Sequence, residues 1–296
     1  MPNDTHSGYI AIIGRPNVGK STLLNALIGK KVAITCHKPQ TTRHQILGIH
    51  TEGELQMIFV DTPGIHLGSK SAINQMMNKT ATQAVKDVDA VLFVVDATRW
   101  TQEDENALTK VRNVKCPVFL VINKIDKLLD KKQLLPQMEG YKKLYEFTNM
   151  IPLSAQKQDN LDVIWQLLKP LMPEGPHYFP DDQITDRQET FMVSEIIREK
   201  LMARLQQEVP YQLTVEVEQF KREEGILHIS AVIWVETEGQ KGIVIGKQGQ
   251  MLKGVGQKAR LELQYRFDQK VMLKLWVNVK SGWSDNTKAL QQFGYE

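Results

Sequence analysis

Between an apolar strand, Tyr9 to Ile13, and a helix, Ser21 to Ile28, the chain carries Gly14-Arg15-Pro16-Asn17-Val18-Gly19-Lys20-Ser21, a GxxxxGKS loop. Few folds accommodate that arrangement. The glycines let backbone N–H groups wrap phosphate oxygens, Lys20 can reach the β and γ positions, and the Ser21 hydroxyl can ligate Mg²⁺, with Thr22 beside it in the same phosphate site. A glycine turn of this kind can be purely structural, so the reading depends on what accompanies it.

Three further motifs follow in order. Asp61-Thr62-Pro63-Gly64 comes directly after the apolar strand Met57 to Val60. A carboxylate there can hold the Mg²⁺ shell while the Gly64 N–H meets a γ-phosphate. Asn123-Lys124-Ile125-Asp126 ends the apolar strand Val118 to Ile122. The Asp126 carboxylate can accept both N1–H and the 2-amino group of guanine, and adenine has neither donor. Asn123 would brace the loop, Lys124 would lay its aliphatic stem over the base, and the Ser154-Ala155-Gln156 turn would offer a backbone N–H to guanine O6. A buried site left without its partner is strongly penalised, so such contacts discriminate well. NKxD and SA are each common accidents; their order and strand-end placement select GTP and GDP over adenine nucleotides.

At 296 residues the chain has room for about two domains, and charged residues at 24% with hydrophobic residues at 42% are globular values. No segment approaches the ~20 apolar residues of a membrane span, and Met1 to Gly8 is polar without the profile of a signal peptide, so a cytosolic protein is expected. Cys36 and Cys116 fit no metal-ligand spacing, nor do Cys36-His37 with His44, His50 and His66. Reduced thiols and no zinc site are expected.

Apolar runs alternate with helical patterns. The expected strands are Tyr9 to Ile13, His44 to His50, Leu55 to Val60, Ala90 to Asp96, Val118 to Ile122 and Met150 to Leu153. The link Thr51-Glu52-Gly53-Glu54 is too short for a crossover, so the second and third strands should form an antiparallel hairpin at one edge. Helices are expected near Lys20 to Ile28, Ser71 to Lys86, Thr101 to Val111, Lys127 to Phe147 and Asn160 to Leu171. The fold class is α/β: a P-loop domain with a mixed, mostly parallel six-stranded sheet over residues 1–175. Pro170, Pro173, Pro176 and Pro180 with Asp181-Asp182 read as a linker, taken as 176–187. Between Lys30 and Arg43 lies a polar loop of the kind ordered by a γ-phosphate and Mg²⁺. Thr42 is the expected second Mg²⁺ ligand beside Ser21 and Asp61, with Thr41 the runner-up.

Residues 181–238 hold 6 basic and 13 acidic residues, whereas 239–280 hold 9 basic and 2 acidic. A polyanion would meet the latter segment first. At its centre is Gly242-Ile243-Val244-Ile245-Gly246-Lys247-Gln248-Gly249, ahead of an amphipathic helix, Met251 to Phe267, that carries Lys253. A GxxG turn between two helices lets a nucleic-acid backbone approach closely. The order helix (Gln188 to Gln206), strand (Tyr211 to Phe220), strand (Ile226 to Val235), helix, GxxG, helix, strand (Lys270 to Val279) suits an α+β type II KH domain over 188–296. Single-stranded RNA is the expected ligand. Trp165, Trp234 and Trp276 lie in apolar periodic segments and are expected in the core or half-buried, and Trp283 is expected to anchor the tail.

GRPNVGKS, QTTRH, DTPGIH, NKID, SAQ and IVIGKQG, in this order and spacing, resemble the Era family of bacterial GTPases, and the resemblance spans the chain. It implies slow GTP hydrolysis with Lys20, Thr42 and Gly64 at the reacting phosphate. It implies binding of 16S ribosomal RNA near its 3′ end through Ile243, Ile245, Gly246, Lys247, Gln248, Gly249 and Lys253. A role in assembly of the small (30S) subunit follows, in the cytoplasm with peripheral association with the inner membrane. A monomer that binds no DNA is expected. Ile65 stands where Ras-like enzymes keep a water-orienting glutamine, a replacement the Era family shares. Catalysis then leans on charge at the phosphates, with K⁺ at Asn17 as a further candidate, and the rate should resemble intrinsic Ras-type hydrolysis at about 10⁻⁴ s⁻¹. Two rivals remain open: a module that holds GTP without turnover, and a membrane signalling GTPase whose basic C-terminal region binds anionic lipid.

Overall fold

The computed structural model describes residues 5–64 and 71–295. The chain forms two compact units, Met1–Ala33 with Thr42–Ser69 and Asn74–Asp186, and Ile34–Thr41 with Lys70–Ile73 and Arg187–Glu296.

In the first unit, β1 (His6–Ile13), α1 (Lys20–Ile28), β2 (Ile46–Glu52), β3 (Leu55–Asp61), α2 (Ala72–Gln83), β4 (Ala90–Asp96), α3 (Gln102–Val111), β5 (Val118–Asn123), α4 (Leu134–Lys142), β6 (Asn149–Pro152) and α5 (Asp162–Leu168) follow in order. The sheet runs β2-β3-β1-β4-β5-β6. Only β2 is antiparallel, paired with β3 from Ile46 opposite Asp61 to Glu52 opposite Leu55, as the short turn requires. β4 is buried at all seven residues, AVLFVVD. A central parallel strand covered by helices on both faces needs such an unbroken apolar run.

Two expectations differ in extent. The helix expected over Lys127 to Phe147 is reduced to α4, preceded by a tight turn at Lys131–Gln133 that the Asp130 carboxylate caps through the Lys132 N–H at 2.8 Å. Asp130 diverts the backbone into that turn, and Pro136, which lacks an N–H, is tolerated only in the first turn of the helix that follows. The stretch expected as a linker packs on the first unit as far as Asp186. Gln56 takes N–H groups from Tyr178 and Phe179, Thr185 bridges Gly48, and Leu47 N–H reaches the Asp186 carboxylate. Buried Gln56 also donates its amide to the Phe179 carbonyl at 2.8 Å, beside a bond to Thr51 Oγ1 at 3.0 Å, and this fastens residues that proline content alone marks as loose.

The second unit contains α6 (Glu189–Arg204), β7 (Leu213–Glu223), β8 (Ile226–Val235), α7 (Glu238–Ile245), α8 (Gln250–Phe267), β9 (Lys270–Val279) and α9 (Thr287–Gln292). Its sheet runs β7-β8-β9, with β7 and β8 antiparallel and β8 and β9 parallel. Ile196, Ile197 and Leu201 of α6, Val244 of α7 and Val255, Ala259 and Leu263 of α8 close over Leu227, Ile229, Ala231 and Ile233 of β8. Within this unit Thr35 N–H donates to Glu199 Oε1 at 2.9 Å, and Arg198 pairs with Glu195 while donating to the Thr41 carbonyl. This is the expected α+β arrangement of a KH domain, and the fold class read from the sequence holds for both halves.

Candidate functional site

The β1-to-α1 loop, the end of β3 and Thr42 come together at the C-terminal edge of the first sheet, where parallel α/β folds hold their ligands. Lys20 Nζ donates to the Gly14 and Arg15 carbonyls, each at 3.0 Å. Its burial pushes its pKa down to about 8, against the pull of the Asp61 carboxylate. Asp61 is fully buried, and burial pushes it up to about 6 although Lys20 and two hydroxyls oppose the shift. Two opposite charges sit in a dry cleft, and each is costly until a ligand of the other sign arrives.

Ser21 Oγ lies 2.7 Å from Thr42 Oγ1 and donates to Asp61 Oδ2 at 2.7 Å, and Thr42 donates to the same oxygen at 3.4 Å. Asp61 Oδ1 is buried with no hydrogen-bond partner among the described residues. Three hard oxygens converge beside one unsatisfied carboxylate oxygen, and that donor set suits Mg²⁺ with water in its shell. Thr41, the runner-up, instead turns its hydroxyl to the Lys38 carbonyl at 2.6 Å. Gly64 lies against the loop: a Cβ there would come within 2.7 Å of Pro16 Cγ and 2.8 Å of its Cα. Thr62 pins this turn by donating to the Ile12 carbonyl at 3.0 Å, and Pro63 is buried beside it. Ile65 lies outside the described residues.

Arg15, expected among the phosphate-binding residues, sends its guanidinium elsewhere. Its Nε donates to Asp104 Oδ2 at 2.8 Å and its Nη1 to the Pro16 carbonyl at 3.3 Å, so the side chain braces the loop and ties it to α3. Val18 is buried and its carbonyl accepts from Asn123 Nδ2 at 2.8 Å, while Asn17 is exposed with φ 63°. Asn123 Oδ1 takes the N–H groups of Lys124 and Ala155 at 2.8 and 3.0 Å. One amide thus bolts the P-loop, the end of β5 and the SAQ turn together. Asp126 Oδ1 accepts the Ser154 hydroxyl, which aims the carboxylate, while Gln156 is exposed at the rim.

Lys124 donates to the Asn17 carbonyl and to Asp96 Oδ2, the latter at 2.7 Å. Burial of Asp96 is outweighed by Lys124 and two bonds from Thr98, which hold its carboxyl below the usual range. Asp96 and Asp104 are the functional neighbours that motif reading missed. Asp96 stands opposite Asn123 in the β4–β5 register, a placement visible only once that pairing is known. Asp104 shows in sequence as half of a capping box with Thr101, and nothing in that box points to Arg15.

In the second unit α7 ends at Gly246 (φ 73°) and α8 begins after Gly249 (φ 73°), with Gln248 at φ 51° between them. Positive φ at both glycines, with Gly249 left-handed and Gly246 extended in ψ, makes the sharp turn the motif implies. Lys247, Gln248 and Lys253 are exposed, Ile243 is half-exposed and Ile245 packs partly on the core. A groove of 620 Å³ opens between α8 and β9, lined by Gly249, Leu252, Lys253, Gly256, Gln257, Arg260, Leu273 and Leu275. Of the residues expected to bind RNA it gathers Gly249 and Lys253. Leu273 and Leu275 come from β9, a strand far along the chain that carries no motif.

This geometry is shared with known proteins. Residues 9–124 match the family described as 50S ribosome-binding GTPase, and residues 208–284 match the KH domain family. GTPase Era of Pseudomonas aeruginosa is 53% identical over 295 residues, covering 100% of this chain and 97% of that protein. The chain belongs to the Era family of GTPases. GTPase Era of Coxiella burnetii is 54% identical over 292 residues, covering 99% of both chains. Two solved Era structures superpose with TM-scores of 0.94 at 40% identity, each over 98% of this chain and 99% of its own. One holds MgGDPNP and nucleotides 1506–1542 of 16S ribosomal RNA, and the other is a single-residue variant of Aquifex aeolicus Era bound to GDP and AlF4⁻. As an Era-family protein this chain is a GTP-hydrolysing P-loop enzyme with a KH domain that binds RNA.

Proposed function

We propose that this GTPase binds 16S ribosomal RNA near its 3′ end and acts in assembly and maturation of the small ribosomal subunit. One observation carries the reading: the full-length relative in complex with nucleotides 1506–1542 of that RNA matches 98% of this chain. The family description for residues 9–124 names the large subunit instead. That description covers less than half of the chain and stops well before the KH match at 208–284, so it weighs less.

The nucleotide is GTP or GDP with Mg²⁺. Ser21, Thr42 and Asp61 would hold the metal, whose charge offsets that of the phosphate oxygens. Lys20 carries a second positive charge to the phosphates, and Gly64, with no side chain, brings its N–H close to the γ-phosphate. Asp126, oriented by Ser154, reads the guanine edge, and Lys124, tethered by Asp96, lays its stem across the base. Phosphoryl transfer draws on position and charge more than covalent chemistry, so a site without an orienting glutamine turns over slowly and acts as a timer. Exposed Asn17 is the proposed K⁺ ligand. A cytoplasmic protein attached peripherally to the inner membrane is part of this proposal.

Crosslinking the protein to cellular RNA, with and without a non-hydrolysable GTP analogue, tests the proposal. Enrichment at the 3′ end of small-subunit RNA is expected. Enrichment on transfer RNA, or binding to anionic vesicles in preference to RNA, would redirect it.

A further inference from the structure

The outer face of β9 carries a feature that the groove does not use. Val271, Leu273, Leu275, Val277 and Val279 point inward to the helices, whereas Lys270, Met272, Lys274, Trp276 and Asn278 alternate onto the opposite face. Met272 and Trp276 are each 46% exposed. Trp276 stands beside Val232 in the β8–β9 register, and Val232 is only 2% exposed. Part of the indole is thus available to cover a neighbour while the rest faces solvent. Lys270 and Lys274 are exposed on either side of Met272, and β9 bears no carboxylate.

β9 is also an edge of its sheet, with one row of backbone N–H and C=O groups unpaired in the ladder. Its inward leucines, Leu273 and Leu275, line the groove, so the groove and the exposed indole lie on two sides of one strand. We propose that single-stranded RNA leaving the groove crosses the β9 edge and stacks a base on Trp276, with Lys274 and Lys270 facing its phosphates. The inference rests on the KH reading and extends the RNA site onto the far face of the sheet.

Three features favour RNA over a protein as occupant. The face meets the groove at the β9 edge, its aromatic and thioether groups are interleaved with cations, and exposed lysines on an edge strand oppose pairing with a second copy of the chain. A KH groove takes about four nucleotides, so a longer strand must run onto a neighbouring surface.

The test uses the full-length protein with a non-hydrolysable GTP analogue and labelled RNAs from the single-stranded 3′ end of 16S RNA. A twelve-nucleotide strand is compared with the tightest-binding six-nucleotide window in it. Trp276→Ala is expected to weaken the longer RNA about tenfold, with the shorter changed less than about twofold. Trp276→Phe, which keeps a stacking ring, should restore most of the loss, and Met272→Ala and Lys274→Ala should repeat part of the length dependence without touching the indole. Lys253→Ala, in the groove, should weaken both RNAs. Equal loss for both RNAs in Trp276→Ala, or none, overturns the platform and leaves the groove reading intact. If the unaltered protein binds neither RNA, the KH reading falls and the platform with it. A shift in sedimentation of RNA-free Trp276→Ala, with RNA affinity unchanged, would make the face a contact between copies and overturn the proposal.

Discussion

Arg15 and Asp104 form a buried ion pair, Nε to Oδ2 at 2.8 Å, with side chains 4% and 0% exposed. It ties the phosphate loop to the first turn of α3, where the same carboxylate oxygen accepts the Thr101 N–H and hydroxyl at 2.8 Å. Removing one partner strands a charge in a dry site. Arg15→Ala or Asp104→Ala is expected to cost about 3–5 kcal/mol in urea unfolding, and Arg15→Met with Asp104→Leu should recover part of it. Because Asp104 also caps α3, Asp104→Ala should be the worse single change, by roughly 1 kcal/mol. Equal stability of all three variants would remove the pair from the account.

Thr42 and Thr41 are neighbours with different tasks. Thr42→Ala is expected to slow GTP hydrolysis by roughly 10²-fold, in line with the loss of one group that stabilises charge at a reacting centre. Thr41→Ala, which loses bonds within its own loop, should remain within about threefold of the unaltered rate. Single-turnover assays at saturating GTP separate the two, and a reversed order would move the metal ligand to Thr41.

Asp126→Asn replaces an acceptor with a donor against guanine N1–H and should weaken GTP binding by at least about 10³-fold in calorimetry, since a site built around specific hydrogen bonds is strict. Ser154→Ala leaves the carboxylate but loses the hydroxyl that aims it. A loss of about tenfold is expected, with guanine still preferred over adenine.

The pH response follows from Asp61. Its folded pKa, about 6, lies above the ordinary 3.8, so the nucleotide-free fold holds a proton that the unfolded chain has released. Between these values the folded form binds more protons, and its stability falls as pH rises toward 6. A bound metal requires the ionised carboxylate. Mg²⁺-dependent stabilisation should therefore grow from pH 5 to 7, with affinity dropping about tenfold per unit below 6. A flat Mg²⁺ affinity across that range would contradict the assignment.

Hydrolysis should be faster in K⁺ than in Na⁺, and Asn17→Ala should abolish the difference without loss of GDP binding. Equal rates in the two salts would eliminate the monovalent site.

Ala90–Asp96, Ile226–Val235 and Lys270–Val279 are strands with the bounds that apolar patterning marks, because each is a buried run or clean alternation closed by polar residues. α1 and the GxxG turn are equally legible, since glycines and a single lysine state their own local geometry. Composition misjudged residues 176–186: prolines announce a loose chain, but Gln56, more than 120 positions away, supplies the bonds that fasten it.

The ordered motifs carry the nucleotide, the base preference and the RNA-binding domain in one dimension, because each places its own backbone and side chains within a few residues of a ligand. Asp96 under Lys124, Asp104 on Arg15, Leu273 and Leu275 in the groove, and the half-exposed indole of Trp276 emerge only in the folded chain. Strand register and helix packing bring those groups to their partners, and no local periodicity records which distant residue will stand opposite.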